Sequence, residues 1–335
     1  MVFFFRVIYN IYRYALMKKI SLVIPMYNEE PMVSLLLSTI QEKLIDVLKD
    51  QYSFEIVAVN DGSKDKTLEL LKNEQEKHKE LVIVDLSRNW GQEAAVRAGL
   101  LTATGDCVIP MDADLQDPPE IIPEMLKMWE DGYQVVNAVR VSRKKDSAFK
   151  RNSAGIFYKY LDNISPKVKI PNNVNNFRLI DRRVVDEVNA LSESNRVLRV
   201  EIPFVGFKTG AVEIVRQKRA KGESHYPLSS MLHLARSSIV STSTKPLDIA
   251  LKFSAIFGAT ATLSILAEIT FFVLRLCKVL DIGDLALWSW LIINVIFLVA
   301  TVITSIMGIQ GIYLGKIAEE SAKRPSVIIK EVIKK

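Results

Sequence analysis

The sequence predicts an α/β fold, a mainly parallel sheet with helices on both faces, followed by an amphipathic interfacial helix and two C-terminal transmembrane helices. Three observations predict it. Between Ile20 and Arg140, short apolar runs alternate with helical patterns, the signature of βα units that build a parallel sheet. Several of these runs end in turns rich in Asn, Asp, Pro or Gly. Two long stretches then change character: Phe253–Leu274 carries a single charge, Glu268, and Leu285–Leu314 carries none. Each exceeds the roughly 20 residues that cross a bilayer core.

Taken in order, residues 1–17 read as an N-terminal extension. Its apolar part is too short and interrupted to span a bilayer. Two readings stay open, an interfacial amphipathic helix or a start at Met17. The second is preferred because Met17-Lys18-Lys19-Ile20 opens a well-formed strand. Residues 18–227 read as one α/β domain. Ile20–Pro25 is its first strand, Glu55–Asn60 its second, Leu81–Asp85 its third, and the run into Asp112 its fourth. Helical patterns separate them, the last a small-residue helix from Gly91 to Leu101. Gln134–Arg140 is a further strand, followed by a basic segment (Arg143, Lys144, Lys145, Lys150, Arg151) and an aromatic helix around Phe157 and Tyr160. Residues 196–226 read as strand-like pieces. Residues 228–246 form the juxtamembrane helix, with Leu228, Met231, Leu232 and Ala235 on one face, and 247–315 the two-helix hairpin. The tail, 316–335, is basic, and its segment Arg324–Ile329 is expected to add a strand to a neighbouring subunit of a homo-oligomer. Basic residues gather before the first apolar stretch and after the second. The positive-inside bias therefore puts both termini and the α/β domain on the cytoplasmic side of a multi-pass membrane protein.

Composition excludes several classes. Cys107 and Cys277 form no disulfide framework or zinc spacing. Neither Gly-x-Gly-x-x-Gly nor a P-loop occurs, so no dinucleotide or ATP site is expected. The net charge of +6 is accounted for by the membrane flanks, and no nucleic-acid-binding module accompanies it. The chemistry-bearing stretch is Val108–Glu120, where an apolar run delivers Asp112 and Asp114, then Gln116 and Asp117, to a proline turn. Carboxylates at the carboxyl end of a strand suit a hard cation, Mg²⁺ or Mn²⁺, that takes its remaining ligands from water and substrate phosphates.

Together these pieces resemble family 2 glycosyltransferases of the GT-A fold. The resemblance rests on Ile24-Pro25-Met26-Tyr27-Asn28-Glu29, on Asn60-Asp61-Gly62-Ser63 with Asp65, on Ser87-Arg88-Asn89 with Gly91, and on Asp112-Ala113-Asp114-Leu115-Gln116-Asp117-Pro118-Pro119. Phe177-Arg178-Leu179-Ile180-Asp181-Arg182 and Gly222-Glu223-Ser224-His225-Tyr226-Pro227 point to the polyprenyl-phosphate branch, which holds dolichyl-phosphate mannose synthases and bactoprenol-phosphate glucosyltransferases. The resemblance implies that Pro25, Tyr27, Asn28, Glu29 and Asp61 line the nucleotide pocket. It implies that Asp112, Ala113, Asp114 and Gln116 meet the divalent ion and the diphosphate, with Asp112, Asp114 and Gln116 as its ligands. Arg140 and Arg151 would handle the phosphates of acceptor and donor, Asp114 and Arg178 would join them in the catalytic set, and Arg219 and His225 would close over the donor. Two positions depart from the pattern. His225 stands where Lys is usual, and Asn175-Asn176 where Gly-Asp is common, so Asn176 cannot serve as a base.

The resemblance thus implies inverting transfer of a hexose from a UDP-sugar, UDP-glucose first, to polyprenyl phosphate in the lipid bilayer. A catalytically silent scaffold that binds nucleotide sugar and a processive polysaccharide synthase are the alternatives. The second would carry a Gln-x-x-Arg-Trp element and more membrane helices.

Overall fold

The computed structural model describes residues 17–140, 174–191, 198–215, 245–277, 284–322 and 324–335. The chain divides into two compact units, Met1–Leu234 with Pro325–Lys335, and Ala235–Arg324. The first unit is built on an eight-stranded sheet of order β7-β5-β6-β4-β1-β2-β3-β8. Its centre follows the expected βα pattern. Strands β1 (Lys19–Met26), β2 (Ser53–Asn60), β3 (Leu81–Leu86) and β4 (Cys107–Pro110) are mutually parallel. They are buried nearly throughout, as strands covered on both faces must be.

Helices α1 (Val33–Ile40), α2 (Thr67–Glu74) and α4 (Ile122–Glu130) cover one face. There Leu36, Leu37, Leu71, Met125 and Leu126 pack on Leu22, Ile24, Ile56 and Ile109. Helices α3 (Gln92–Thr102), α5 (Arg182–Ala190) and α6 (Leu198–Val205) cover the other, where Val96, Val184, Val188 and Ile202 meet Val23, Val57, Val84 and Val108. Gly99 lets α3 seat directly on the sheet, because a Cβ there would lie 2.2 Å from Val23 Cγ1.

Outside the central four strands, the sheet is mixed rather than mainly parallel. Strand β6 (Val174–Asp181) runs antiparallel to both β4 and β5 (Val135–Arg140), while β7 (Thr209–Ile214) is parallel to β5. A second correction falls in 196–226, expected to be strand-like: Leu198–Val205 is helical despite Pro203. Leu198 and Ile202, four apart, share the buried face, so a helical period underlies what reads as a β-branched run. The third correction concerns the tail. The strand forms at β8 (Ile329–Ile333), after the expected Arg324–Ile329, and pairs antiparallel with β3 of its own chain. Its backbone meets an otherwise open sheet edge, which a strand covers at little conformational cost. The basic segment 143–151, the aromatic helix and the amphipathic helix from Leu228 lie outside the described residues, as do residues 1–16.

The second unit is a pair of long helices, α7 (Lys245–Leu276) and α8 (Asp284–Ser321), with Phe272 and Trp288 edge to face at 6.1 Å. Among the described residues one stretch is long and apolar enough to cross a membrane, Trp288–Gly315, with a mean hydropathy of 2.4. The apolar stretch of α7 described at that standard is shorter, Thr262–Leu274. Leu263, Leu266, Trp290, Ile296, Met307 and Leu314 are all exposed. Helices that expose large apolar side chains along their length suit a lipid solvent better than water.

Candidate active site

The order β4-β1-β2-β3 contains a topological switch. The chain leaves β1 toward β2 with α1 on one face, and it reaches β4 from β3 through α3 on the other. The loops after β1 and β4 therefore diverge and open a crevice beyond the strand ends, where α/β sheets place their ligands. Register aligns the three loops concerned. Met26 lies opposite Asn60 and Val23 opposite Pro110. Asp61 N–H donates to Met26 O at 2.9 Å, and Met111 N–H to Val23 O at 3.0 Å.

The first two loops are fastened side by side. Asn28, in the left-handed region at φ 54°, donates its N–H to Ser63 Oγ (3.0 Å) and accepts from Lys64 N–H through Oδ1 (2.8 Å). Glu29 N–H donates to Thr67 Oγ1 and Glu30 N–H to Asp65 Oδ2. Pro25 is half-buried and Tyr27 exposed at the rim. Asp61 is buried, and its two oxygens accept from the N–H groups of Trp90 (2.7 Å) and Gly91 (2.9 Å). Burial pushes its carboxyl above the usual range against the opposing pull of those two hydrogen bonds and of Arg88. Gly62 is required where it stands. It has φ 64°, and a Cβ would lie 2.4 Å from the carbonyl carbon of Arg88.

The third loop carries the paired carboxylates. Asp112 is half-buried and accepts from Gln92 Nε2 at 2.8 Å. Asp114 is buried, and its oxygens accept from Gln116 N–H (3.1 Å) and Gln116 Nε2 (2.9 Å). Between them Ala113 is buried and Leu115 holds φ 55°, a costly conformation for leucine and of the kind that clusters at functional turns. Gln116, expected as a ligand, thus donates to Asp114 from both its backbone and its side-chain nitrogen. Among the described residues no group of three or more His, Cys, Asp or Glu side chains forms a closed cage. Two carboxylates and an amide on one turn suit Mg²⁺ or Mn²⁺ that is completed by water and substrate oxygens.

Strand β6 brings Asn176 and Arg178 beneath the N-terminal end of α3. Asn176 Nδ2 donates to Glu93 Oε1 at 3.4 Å, and Glu93 Oε2 accepts from Leu198 N–H at 3.3 Å. Arg178 is only 1 % exposed. Burial lowers its pKa to about 9, neighbouring Arg199 adds to the fall, and Glu93 opposes it. Arg140 is half-buried at the end of β5. Arg151, Arg219 and His225 lie outside the described residues. The sequence reading missed Gln92 and Glu93, the two residues that tie α3 to Asp112 and to Asn176. Their only signal was their place directly after Gly91 in a matching segment.

With this geometry in view, comparison with known proteins is informative. The profile of the family described as Glycosyl transferase family 2 matches residues 21–188. An uncharacterized glycosyltransferase of Bacillus subtilis, YkcC, is 38% identical over 93% of both chains. A bactoprenol glucosyl transferase of Shigella phage SfV is 37% identical over 93% of this chain and 98% of its own. A prophage bactoprenol glucosyl transferase homolog of Escherichia coli is 36% identical over 94% of this chain and 100% of its own. Among solved structures, glucosyl-3-phosphoglycerate synthase from Mycobacterium tuberculosis, in complex with Mg²⁺ and UDP, superposes with a TM-score of 0.48 at 19% identity, covering 67% of this chain and 77% of that one. The family match, with paired carboxylates at the switch point of a GT-A-like mixed sheet, gives the conclusion. The chain is an enzyme of glycosyl transferase family 2, in the branch of the bactoprenol glucosyl transferases.

Proposed function

We propose that this glycosyltransferase moves a hexose from a UDP-sugar, UDP-glucose first among the donors, to undecaprenyl or a related polyprenyl phosphate at the cytoplasmic face of the inner membrane. The observation that carries this reading is the turn holding Asp112 and Asp114 at the β1–β4 switch, in a chain similar over nearly its whole length to proteins named bactoprenol glucosyl transferase. In this reading Pro25, Tyr27, Asn28, Glu29 and Asp61 hold base and ribose, and Ala113 lies against the diphosphate. Asp112 and Asp114 hold Mg²⁺ or Mn²⁺, with Gln116 turned to offer its oxygen. The bound ion supplies charge stabilisation for the departing diphosphate.

The acceptor asks little of the protein as a base. A phosphate monoester has a second pKa near ~6, so its oxygen is largely anionic at neutral pH. It must be held in line with the anomeric carbon and screened from the charge of the donor. Arg140 and Arg151 do this directly, and a single displacement inverts the anomeric centre. Arg178, being buried, acts through the potential it adds under Asn176. An amide at position 176 is compatible with such chemistry because no proton has to be removed. Arg219 and His225 close over the donor. The apolar stretches of α7 and α8 keep the site at the surface where the lipid phosphate resides, and both ends of the chain face the cytoplasm.

The test is lipid-linked sugar formation by the purified protein with undecaprenyl phosphate, Mg²⁺ or Mn²⁺ and a panel of radiolabelled UDP-sugars. Label from one donor entering the lipid phase is the expected result. Absence of transfer from every donor, with UDP still bound, would replace this reading with the nucleotide-sugar-binding scaffold.

A further inference from the structure

We infer that the last strand of the chain is part of the donor pocket's support, with Lys330 as a positioning residue for nucleotide binding. The inference rests on the reading of the β1 and β2 loops as that pocket. Two independent lines of contact run from the tail to it. The first is a relay of side chains. Lys330 Nζ lies 3.1 Å from Asp85 Oδ2, and the other oxygen of Asp85 accepts from Asn60 Nδ2 at 2.7 Å. Asn60 Oδ1 accepts from Ser63 N–H at 3.3 Å, and Ser63 Oγ accepts from Asn28 N–H at 3.0 Å. The relay therefore ends on the loop that carries Asn28 and Glu29.

The second line is made by backbone. Ser87 N–H donates to Ile328 O at 3.1 Å. This fixes the start of the Ser87–Gly91 loop, whose far end gives two N–H groups to Asp61. Val327 is buried in the same layer as Leu86, and Gln75 Nε2 pins the other end of β8 by donating to Ile333 O at 3.0 Å.

The charges explain why Lys330 matters beyond an ordinary surface pair. Its own side chain is 64 % exposed, and such a lysine contributes little to global stability. Asp85, however, is 5 % exposed at its side chain. Without the ammonium, its carboxylate loses the charge that compensates its burial, so it turns toward solvent and releases Asn60. The register between β3 and β8 shifts between Asp85 and Leu86, which sets Lys330 at this irregularity rather than in a regular pair. The consequence falls on the loops at Asn28 and Asp61 more than on the core.

The experiment compares full-length wild type with Lys330→Met, Lys330→Arg and Lys334→Met in detergent. It measures UDP affinity by calorimetry, KM for the UDP-sugar, kcat, KM for undecaprenyl phosphate, and thermal midpoint. For Lys330→Met we expect UDP affinity and donor KM to worsen roughly fivefold, the scale on which contact networks modulate a distant site. Its kcat, acceptor KM and midpoint stay near wild type, Lys330→Arg restores the donor values, and Lys334→Met changes none of them. Lys330→Met that binds UDP as wild type does would overturn the inference alone. So would a loss of affinity that follows a fall in midpoint and is not restored by arginine. A wild-type protein that binds no UDP would instead remove the donor-pocket reading, and this inference with it.

Discussion

Asp61 holds its loop at the expense of its own acidity. The backbone N–H groups of Trp90 and Gly91 occupy it, yet burial keeps its carboxyl above the ordinary range. A protonated Asp61 surrenders one acceptor, and the Trp90–Gly91 segment loses a fastening. UDP affinity should therefore fall on acidification, beginning above the pH of about 3.9 at which an unperturbed aspartate titrates. Calorimetry across pH 4–7 checks this, and Asp61→Asn should bind weakly with a flat profile. The place of Asp61 in a turn at the end of a strand was legible in Asn60-Asp61-Gly62-Ser63. Its use as a clasp on the Ser87–Gly91 loop was not, since the contact joins residues 29 and 30 positions apart. Gln116 differs in the same way. Its position in the motif suggested a ligand, and the motif carries no mark of the hydrogen bond from its amide nitrogen to Asp114. Side-chain direction on a turn depends on the local φ, here on Leu115 at 55°, which residue types do not reveal.

At the scale of elements, two buried charges join pieces of the first unit. Glu55 on β2 accepts from Ser21 Oγ (2.6 Å), Thr104 N–H (2.8 Å) and Thr104 Oγ1 (2.9 Å), with Lys19 Nζ at 3.2 Å. Burial alone would raise its pKa, but these hydrogen bonds and Lys19 outweigh it and the net shift is downward. A carboxyl whose folded pKa is depressed adds stability above its unfolded pKa of about 4.3, and loses it as pH falls through the folded value. Glu55→Gln should thus cost most at neutral pH and progressively less below pH 4, which thermal melts of both proteins in detergent would register. Arg97 on α3 donates to Val188 O and Asn189 O at the end of α5, both at 2.8 Å, and lies 3.9 Å from Glu201 on α6. Arg97→Leu removes a cation from beside a buried acid and should destabilise by about 3 kcal/mol, measured as a fall in melting midpoint. The βα alternation made β1 to β4 readable because parallel strands covered on both faces are continuous apolar runs. Strand β6, with Asn175, Asn176 and Arg178 in it, breaks that rule. Its Asn176 meets Glu93 at the start of α3, a tertiary contact that strand propensity does not mark.

The whole molecule joins a sheet-based enzyme to a pair of apolar helices. Among the described residues Trp288–Gly315 is long and apolar enough to cross a membrane, while the apolar stretch of α7, Thr262–Leu274, is shorter than that. The native cysteines test the proposed topology without added reporters. Cys107 is buried in β4, and Cys277 is exposed at the end of α7. If α7 and α8 both cross, Cys277 faces away from the cytoplasm, and a membrane-impermeant thiol reagent should label it in intact cells. Labelling only after permeabilisation would mean that neither helix carries the chain across, because β8 returns to the sheet that precedes α7, and Cys277→Ser controls for the site of reaction. The return of the chain to its own sheet through β8 was hidden in the sequence. Arg324–Ile329 reads as a strand, whereas the strand forms at Ile329–Ile333, and an edge strand carries no mark of the partner it will choose.

The most direct measurement is single-turnover transfer from the UDP-sugar to undecaprenyl phosphate by wild type and Asp114→Asn, each with Mg²⁺ or Mn²⁺ and each after chelation. We expect wild-type transfer that disappears on chelation, and a loss on the order of 10³-fold in Asp114→Asn that added metal does not restore. Transfer by Asp114→Asn at the wild-type rate would contradict a reaction centred on the turn after β4.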